Sequence, residues 1–208
     1  MIKTVVGSFD SIAEAAAAAR DLRAAGFMES DVSVIANNQQ RPYAEGETIA
    51  DRPVGDKASG AATGIVAGGA LGGAAGLAAS LMGLAIPGIG PILAAGPIAA
   101  ALAGAGAGAV AGGLIGGLID LGVSETHAEY YAEAVRRGGA LVTVRADELR
   151  ADQADQILRR HGAFDIEDRA VQWKSAGWTG YNPKAEPFSF EEIERDRTMY
   201  RSGPTAQS

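Results

Sequence analysis

The 208-residue chain has no cysteine and only two histidines. Without cysteine it cannot form disulfide bonds, zinc–thiolate sites or thiol nucleophiles. His127 and His161 are far apart in the sequence, and we interpret them as solvent-facing helix or helix-end residues rather than as a pair of metal ligands. We therefore expect no metal site and no catalytic residue that depends on thiol or imidazole chemistry.

A phosphate-binding loop is also missing from the glycine-rich middle of the chain. Gly104, Gly106 and Gly108 match neither the Gly-x-Gly-x-x-Gly nor the Walker spacing, and no lysine or acidic partner is placed for them. The carboxylates of Glu191 and Glu192 are interpreted as a solvated helix face, because acid–base catalysis needs an enclosing pocket. The sequence therefore predicts no cofactor and no enzymatic activity.

Positive charge is scarce, with 18 Lys and Arg against 25 Asp and Glu, a formal net charge of −7 and a pI near 4.9. A nucleic-acid-binding protein needs a basic face to meet phosphates, so we expect no nucleic-acid partner. Residues 1–6 lack the long apolar run and cleavage site of a secretory signal, which predicts a cytoplasmic location for the charged parts.

What the chain has instead is a block without charge, because residues 58–119 contain no Asp, Glu, Lys, Arg or His. Glycine recurs there at every fourth position, close to the roughly 3.6 residues of a helical turn, so each series forms one narrow stripe along a helix. Such stripes allow close helix packing, and we predict that they mediate helix packing or oligomerisation. The stripes are Gly60, Gly64, Gly68, Gly72 and Gly76, then Gly104, Gly108, Gly112 and Gly116.

The block is long enough for a membrane hairpin. Residues 61–86 and 97–119 would each, as a helix, cross about 30 Å of hydrocarbon. The prolines and glycines at 87–91 predict the turn between them. Lysine and arginine flank the block on both sides and the turn is uncharged, which predicts an inner-membrane protein with cytoplasmic termini.

The alternative is a soluble pair of Ala- and Gly-rich helices whose stripes pack between helices or subunits of a homo-oligomer. Each interior glycine costs about 0.8–1.0 kcal/mol relative to alanine in a water-exposed helix, which favours the membrane, where helix is enforced. Alanine and glycine are only weakly apolar, however, which favours the soluble assembly. The sequence leaves both open.

On either side of the block the pattern is that of an α+β domain. Residues 2–8, 31–36 and 140–145 are rich in β-branched residues and predict strands, and 165–171 predicts a short fourth strand. Two β-α-β units of this kind predict a ferredoxin-like, four-stranded antiparallel sheet with two helices on one face. A glycine-zipper helical hairpin would then be inserted between the two halves.

The helix caps are marked by short polar residues. Ser11 and Glu14 have the spacing of a capping box at the start of a helix that ends before Gly26. Ser124 and Asp147 are good N-caps for two later helices.

Composition divides the chain into five segments. They are 1–36, the first β-α-β half; 37–57, a linker; 58–121, the hairpin; 122–171, a helix plus the second half; and 172–208, an aromatic and acidic tail. In the tail, Trp173 and Trp178 are interpreted as packing against the domain, with a partner-docking strip as the alternative. A short helix is predicted to begin at Ser189, three residues before Glu192.

Several segments resemble a known family. Residues 4–10 (Thr-Val-Val-Gly-Ser-Phe-Asp), the alanine-rich helix and residues 32–35 resemble the opening of the general stress protein 17M-like domain, a bacterial heat- and stress-induced family. Residues 130–144 and 158–163 are similar to the second half of related bacterial proteins with a glycine-rich middle. The resemblance covers 2–36 and 123–171, and it implies a stress-associated protein without an established catalytic site.

Taken together, these patterns predict a non-enzymatic, stress-associated protein that is anchored to or inserted in the membrane by a glycine-zipper hairpin and self-associates there. The alternative is a soluble homo-oligomeric binding module that uses the same stripes.

Overall fold

The computed structural model describes residues 2–39, 82–86, 88–104 and 110–201. Within them the chain is a mixed α and β protein built on one antiparallel sheet. The strands are β1 (Ile2–Phe9), β2 (Val32–Asn37), β3 (Met82–Ile86), β4 (Gly90–Ala95) and β5 (Ala140–Asp147). The helices are α1 (Ile12–Ala24), α2 (Pro97–Gly104), α3 (Val110–Asp120), α4 (Glu125–Arg136), α5 (Glu148–Arg160), α6 (Ile166–Ser175) and α7 (Phe190–Arg201).

The five strands lie in the order β1-β5-β2-β4-β3, and every neighbouring pair is antiparallel. Since β1 and β2 are both antiparallel to β5, they are parallel to each other with β5 between them. β1, α1 and β2 therefore form a split β-α-β unit. In the same way β4 and β5 are parallel, and β2 lies between them.

The first face of the sheet is covered by α1 and α5. Alternate residues of each strand face the same side, and on this side they are almost all small or β-branched. Gly7 allows the close approach of α5, because a Cβ there would lie 3.2 Å from Leu158. The core on this face comprises Phe9, Ala15, Ala18, Ala19, Leu22, Phe27, Val32, Val34, Ala36, Ala95, Ala140, Val142, Val144, Ala146, Ala154, Ile157 and Leu158.

The second face is covered by α2, α3 and α4. Ile35 of β2 and Leu141 of β5 point to this side, opposite to their neighbours along each strand. Much of the second core therefore comes from the uncharged block. The core comprises Ile35, Ile86, Ile89, Ile92, Ala94, Ile98, Ala99, Leu102, Leu114, Leu118, Ala128, Ala132, Val135 and Leu141.

Two buried polar side chains on the second face satisfy helix ends. The Ser33 hydroxyl accepts a hydrogen bond from the backbone amide of Ile98, in the first turn of α2, at 3.2 Å. The Asn37 amide donates to the carbonyl of Val135, in the last turn of α4, at 3.0 Å. The ends of a helix leave backbone groups without partners, so these contacts let both helices end inside the core.

The predicted strands at 2–8, 31–36 and 140–145 are confirmed as β1, β2 and β5. The helix caps are confirmed as well. The Glu14 amide donates to the Ser11 hydroxyl at 3.3 Å and the Ser11 amide donates to the Glu14 carboxylate at 3.1 Å, which completes the capping box. Ser124 caps α4 and Asp147 caps α5.

The predicted strand at 165–171 is wrong, because these residues form the first part of α6. Asp165 caps that helix by accepting the amides of Glu167 at 2.8 Å and Asp168 at 3.3 Å. The buried residues of α6 are Ile166, Ala170 and Trp173, which have helical spacing. Only Phe164 pairs with the sheet in this region, by an isolated antiparallel bridge to Ser8.

The prediction of a helix over 61–86 is wrong at its described end, residues 82–86, and the predicted turn at 87–91 joins two strands instead of two helices. Residues 82–86 and 90–95 are paired strands, with Gly88 and Gly90 at φ of 79° and 98° in their connection. Ile92, Leu93, Ala94 and Ala95 are all buried, since β4 has a core on each face. A short apolar run of this kind does not by itself distinguish a buried strand from a helix.

Two helices, α2 and α3, are found within 97–119, and residues 105–109 lie outside the described part. In the described ranges, no helix is both long and apolar enough to cross a membrane. The two helices of the predicted β-α-β units, α1 and α5, do lie on one face of the sheet, and α2, α3 and α4 cover the opposite face.

Candidate functional site

The predicted helix-packing glycines fall mostly outside the described residues. Gly60, Gly64, Gly68, Gly72, Gly76 and Gly108 lie there. Gly104 is the last residue of α2, and Gly112 and Gly116 belong to α3. The structure therefore places part of the second stripe on one helix of the second face and leaves the first stripe as a prediction.

Within α3, the glycine that makes a close contact is Gly113, which is not a member of the predicted stripe. A Cβ on Gly113 would lie 3.2 Å from the Cδ2 atom of Leu102 on α2. A Cβ on Gly116 would meet no atom of the described residues within 4 Å. The contact between α2 and α3 thus depends on Gly113, while the Gly116 side of α3 has room for a further contact.

A second group of residues worth examining is a buried charge cluster between α4 and α7. Glu133 is 1% exposed, and its Oε1 atom accepts hydrogen bonds from Arg137 Nε at 2.7 Å and Arg136 Nη1 at 3.3 Å. Arg137 also donates to Asp196 of α7 at 2.8 Å. Burial raises the pKa of the Asp196 carboxyl, and the charge of Arg137 opposes that shift.

The same cluster ties the C-terminal segment to the domain. Ile193 of α7 is fully buried, and Arg197 donates to the carbonyls of Asp10 and Gly138. Phe188 lies under two guanidinium groups, those of Arg136 at 4.4 Å and Arg137 at 5.1 Å. These contacts combine cation–π and charge-assisted interactions, and they give the cluster a structural role.

The tail tryptophans pack against the domain, as expected. Trp173 is 1% exposed and meets the ring of Trp178 edge to face, with centroids 5.8 Å apart. Trp178 makes a similar contact with Tyr130 of α4. The helix predicted from Ser189 and Glu192 is confirmed as α7, and both capping-box hydrogen bonds are present.

A groove of about 200 Å³ runs beside the free edge of β1. Its lining includes Val6 and Gly7 of β1, Tyr131 of α4, Leu158 of α5 and Phe164. Burial raises the pKa of Tyr131 to about 12, and the negative charges of Asp165 and Glu167 add to this shift.

His127 lies at the rim of this groove in a short polar chain. Its Nδ1 atom is 2.6 Å from the Ser124 hydroxyl and its Nε2 atom is 2.8 Å from a carboxylate oxygen of Glu167. The order hydroxyl, imidazole, carboxylate is that of a proton relay. The Ser124 oxygen, however, also accepts the His127 amide as the cap of α4, so the chain serves to join α4 to α6.

His161 is at the end of α5, and its Nε2 atom lies 2.7 Å from Asp21 of α1. The two histidines therefore belong to different contacts, in keeping with their interpretation as unrelated residues. In the described ranges no group of His, Asp and Glu is arranged to hold a metal ion.

Several contacts that define these sites were not found by sequence reasoning. Glu133 follows the pattern of a surface residue on a charged helix, and its burial depends on α7, some sixty positions later in the chain. The spacing of Arg136 and Arg137 after Glu133 was the only local signal, since residues three and four apart share a helix face. Comparison of the chain with protein-family models, with curated proteins and with solved structures finds no match.

Proposed function

We propose that this chain is a non-enzymatic, self-associating interaction protein whose first glycine stripe packs between helices or subunits. One observation carries this choice over a two-pass membrane hairpin. Ile98, Leu102, Leu114 and Leu118, from the second half of the uncharged block, are buried in the core on the second face of the sheet. That half of the block is therefore apolar because it covers the sheet.

The first half of the block, residues 58–81, carries the five-glycine stripe Gly60 to Gly76. A stripe of this kind lets two helix backbones approach closely and gains from packing rather than from large apolar side chains. The non-enzymatic part of the proposal is supported by the use of the Ser124–His127–Glu167 chain in capping α4 and joining it to α6.

The link to stress, and to the general stress protein 17M-like family, is part of the proposal. It is supported by the similarity of residues 4–10 and 130–144 described above. The ferredoxin-like relationship is supported by the split β-α-β unit of β1, α1 and β2 around β5. Protein abundance before and after heat shock in the bacterium that carries the gene tests the stress link, and an unchanged level contradicts it.

The glycine stripe is tested by the mass of the purified chain in solution. Gly68→Leu combined with Gly72→Leu fills the stripe, and we expect this variant to lose the assembly formed by the wild-type chain. Gly69→Leu combined with Gly73→Leu is the matched control, because these glycines lie beside the stripe. Equal masses for the two variants and the wild type contradict a stripe-built assembly.

Attachment to the membrane is the second candidate, favoured by the absence of charge throughout residues 58–81. A single helix of this length would cross about 30 Å of hydrocarbon. Carbonate extraction of a membrane fraction tests it, with the protein expected in the pellet. Ala67→Lys adds about 2.5–3.5 kcal/mol to the cost of insertion and should move the protein to the wash, whereas Ala44→Lys should not. Recovery of the wild-type protein in the wash contradicts this candidate.

A further inference from the structure

β1 is the end strand of the sheet, and in the described part of the chain its outer edge is paired at one point. The amide of Phe164 donates to the carbonyl of Ser8 at 2.9 Å. Backbone groups alternate between the two sides of a strand, so Ile2, Thr4 and Val6 direct their amides and carbonyls to the same outer side as Ser8. This stretch is therefore an open template for another strand.

The side chains along this edge suit a strand partner. Ile2 is 70% exposed, although it is a large apolar residue. Thr4 and Val6 are half-buried and project on the same face of the sheet as Ile2. Beside Val6 the groove is lined by Tyr131 of α4 and Leu158 of α5, so the described helices of the two faces leave an opening next to this edge.

The edge also has a charge pattern that fits β1 itself. Glu148, Asp152 and Asp155 occur on one side of α5 at helical spacing. Lys3 of β1 binds Glu148 at 2.8 Å, and the charge of Asp152 also acts on it. Asp155 lines the groove beside Val6. This acidic row runs along the strand edge, and it favours a partner strand that carries a cation on the same face.

We propose that β1 pairs with β1 of a second copy of this chain, antiparallel, about a two-fold axis at Thr4. Thr4 then lies opposite its counterpart, and Ile2 lies opposite Val6 of the second copy. Lys3 lies opposite Val5 of the second copy and beside that copy's acidic row. The two five-stranded sheets become one continuous sheet, with the same residues contributed from both sides.

The neighbouring registers are disfavoured by contacts of the described edge. Moving the axis to Lys3 places two lysines directly opposite each other, which is destabilising. Moving it to Val5 places Ile2 opposite Ser8, whose carbonyl is already bonded to Phe164. Only the register about Thr4 pairs apolar residues with each other and leaves the Phe164 contact intact.

This interface differs from the glycine stripes of the proposed function, since β1 lies outside the uncharged block. The two are therefore tested by different substitutions. If the proposed function holds, a variant that fails to pair through β1 still assembles through the stripes. A variant whose stripes are filled still pairs through β1.

The absence of native cysteine makes a cross-linking experiment specific. In a hydrogen-bonded antiparallel pair the Cα atoms of opposite residues are about 5.5 Å apart, within the range of about 4.4–6.8 Å that a disulfide spans. Full-length Thr4→Cys should form a covalent dimer under mild oxidation. Leu149→Cys, at a position of α5 that is 93% exposed, should remain monomeric on a denaturing gel.

A mixed experiment tests the register without changing Thr4, whose hydroxyl bonds to the carbonyl of Leu121. Ile2→Cys and Val6→Cys should each cross-link poorly alone and efficiently when combined, because the proposed pairing places these two residues opposite each other. Ile2→Lys should raise the dissociation constant measured by sedimentation at least tenfold, while Leu149→Lys leaves it unchanged.

Cross-linking of Thr4→Cys that persists in the Gly68→Leu, Gly72→Leu background supports the β1 interface and separates it from the stripes. The inference is overturned if Thr4→Cys stays uncross-linked at concentrations where the chain is dimeric. It is equally overturned if the wild-type chain is monomeric throughout, or if a monomeric chain binds an extended peptide at this edge instead.

Discussion

The two faces of the sheet are covered by helices of different character. On the first face, α1 and α5 carry charged residues on their outer sides and begin at Ser11 and Asp147, which cap them locally. On the second face, α2 and α3 come from the uncharged block, apart from Asp120 at the end of α3. The backbone amide of Ile98, in the first turn of α2, is satisfied by the Ser33 hydroxyl of β2.

This difference shows why α1 and α5 on the first face can be predicted from the sequence, whereas the packing of α2 and α3 on the second face cannot. An amphipathic helix carries its orientation in the alternation of apolar and charged positions. A helix without charge has no such marker, so burial against a sheet and burial in lipid give the same pattern. The second face also holds the buried polar groups Ser33, Asn37 and Thr143, whereas the first-face core is apolar.

The largest expected effect comes from removing one leucine from each layer. Leu22 of α1 and Leu118 of α3 are both fully buried, so Leu22→Ala and Leu118→Ala should each lower the free energy of unfolding by about 2–5 kcal/mol. Urea denaturation followed by circular dichroism measures this. Leu149→Ala, at an exposed position, is the control and should change it by about 0.5 kcal/mol or less. A Leu118→Ala variant as stable as the control would show that the second layer is not part of the cooperative fold.

The next largest loss of stability is expected from changing the buried carboxylate of Glu133 on α4. Glu133→Gln keeps the shape of the side chain but removes the charge that Arg136 and Arg137 share. We expect a loss of about 1.5–3 kcal/mol in urea denaturation, because hydrogen bonds to charged groups contribute that much. Glu129→Gln on the same helix, where the side chain is only half-buried, should cost much less. Equal losses of stability for Glu133→Gln and Glu129→Gln would mean that the charge cluster between α4 and α7 does not stabilise the helices on the second face.

A pH experiment sharpens the comparison at Tyr131, which packs against the second core. Burial raises its pKa from 10.0 to about 12, so the folded state holds the phenol proton where the unfolded state has lost it. The resulting stability is complete below pH 10 and is lost as the pH rises towards 12, with about 1.4 kcal/mol gone near pH 11. Tyr131→Phe should remove this part of the decline between pH 8 and pH 11. A decline for Tyr131→Phe as steep as that of the wild-type chain would contradict the assignment.

The smallest expected effect is the difference in stability between alanine substitutions at two glycines of α3. Gly116→Ala should stabilise the chain by about 0.8–1.0 kcal/mol, because alanine favours helix and its Cβ would meet no atom in the described part of the chain within 4 Å. Gly113→Ala should gain less or lose, since Leu102 must move. Thermal or urea unfolding of both variants measures the difference. Destabilisation by Gly116→Ala, or a change of mass in solution, would show that another helix occupies this side.

Particular residues show how far the sequence alone reached. β1, β2 and β5 follow from β-branched runs, and α1, α4, α5 and α7 follow from caps such as Ser11 and Ser189. The helix α6 was missed, although Asp165 and the acidic residues after it form a helix start. The apolar run of Ile166, Ala170 and Val171 fits either period over so short a stretch.

The candidate sites were harder to predict than the elements. The groove beside β1 needs Tyr131, Leu158 and Phe164 from three separate segments, and no short sequence window contains them. Glu133 is buried because Arg137 binds both it and Asp196 of α7. Contacts of this kind depend on where distant elements meet, which local patterns do not encode.

By itself, the sequence determined the strands and capped helices of the two flanking halves, since hydrogen-bonding caps and side-chain periodicity act within a few residues. It also showed that residues 58–119 carry no charged side chain, a composition that favours burial. Only the tertiary structure decided which surface the described part of that block covers. β3, β4, α2 and α3 extend the sheet and seal its second face, because Ile35 and Leu141 on that face need an apolar partner.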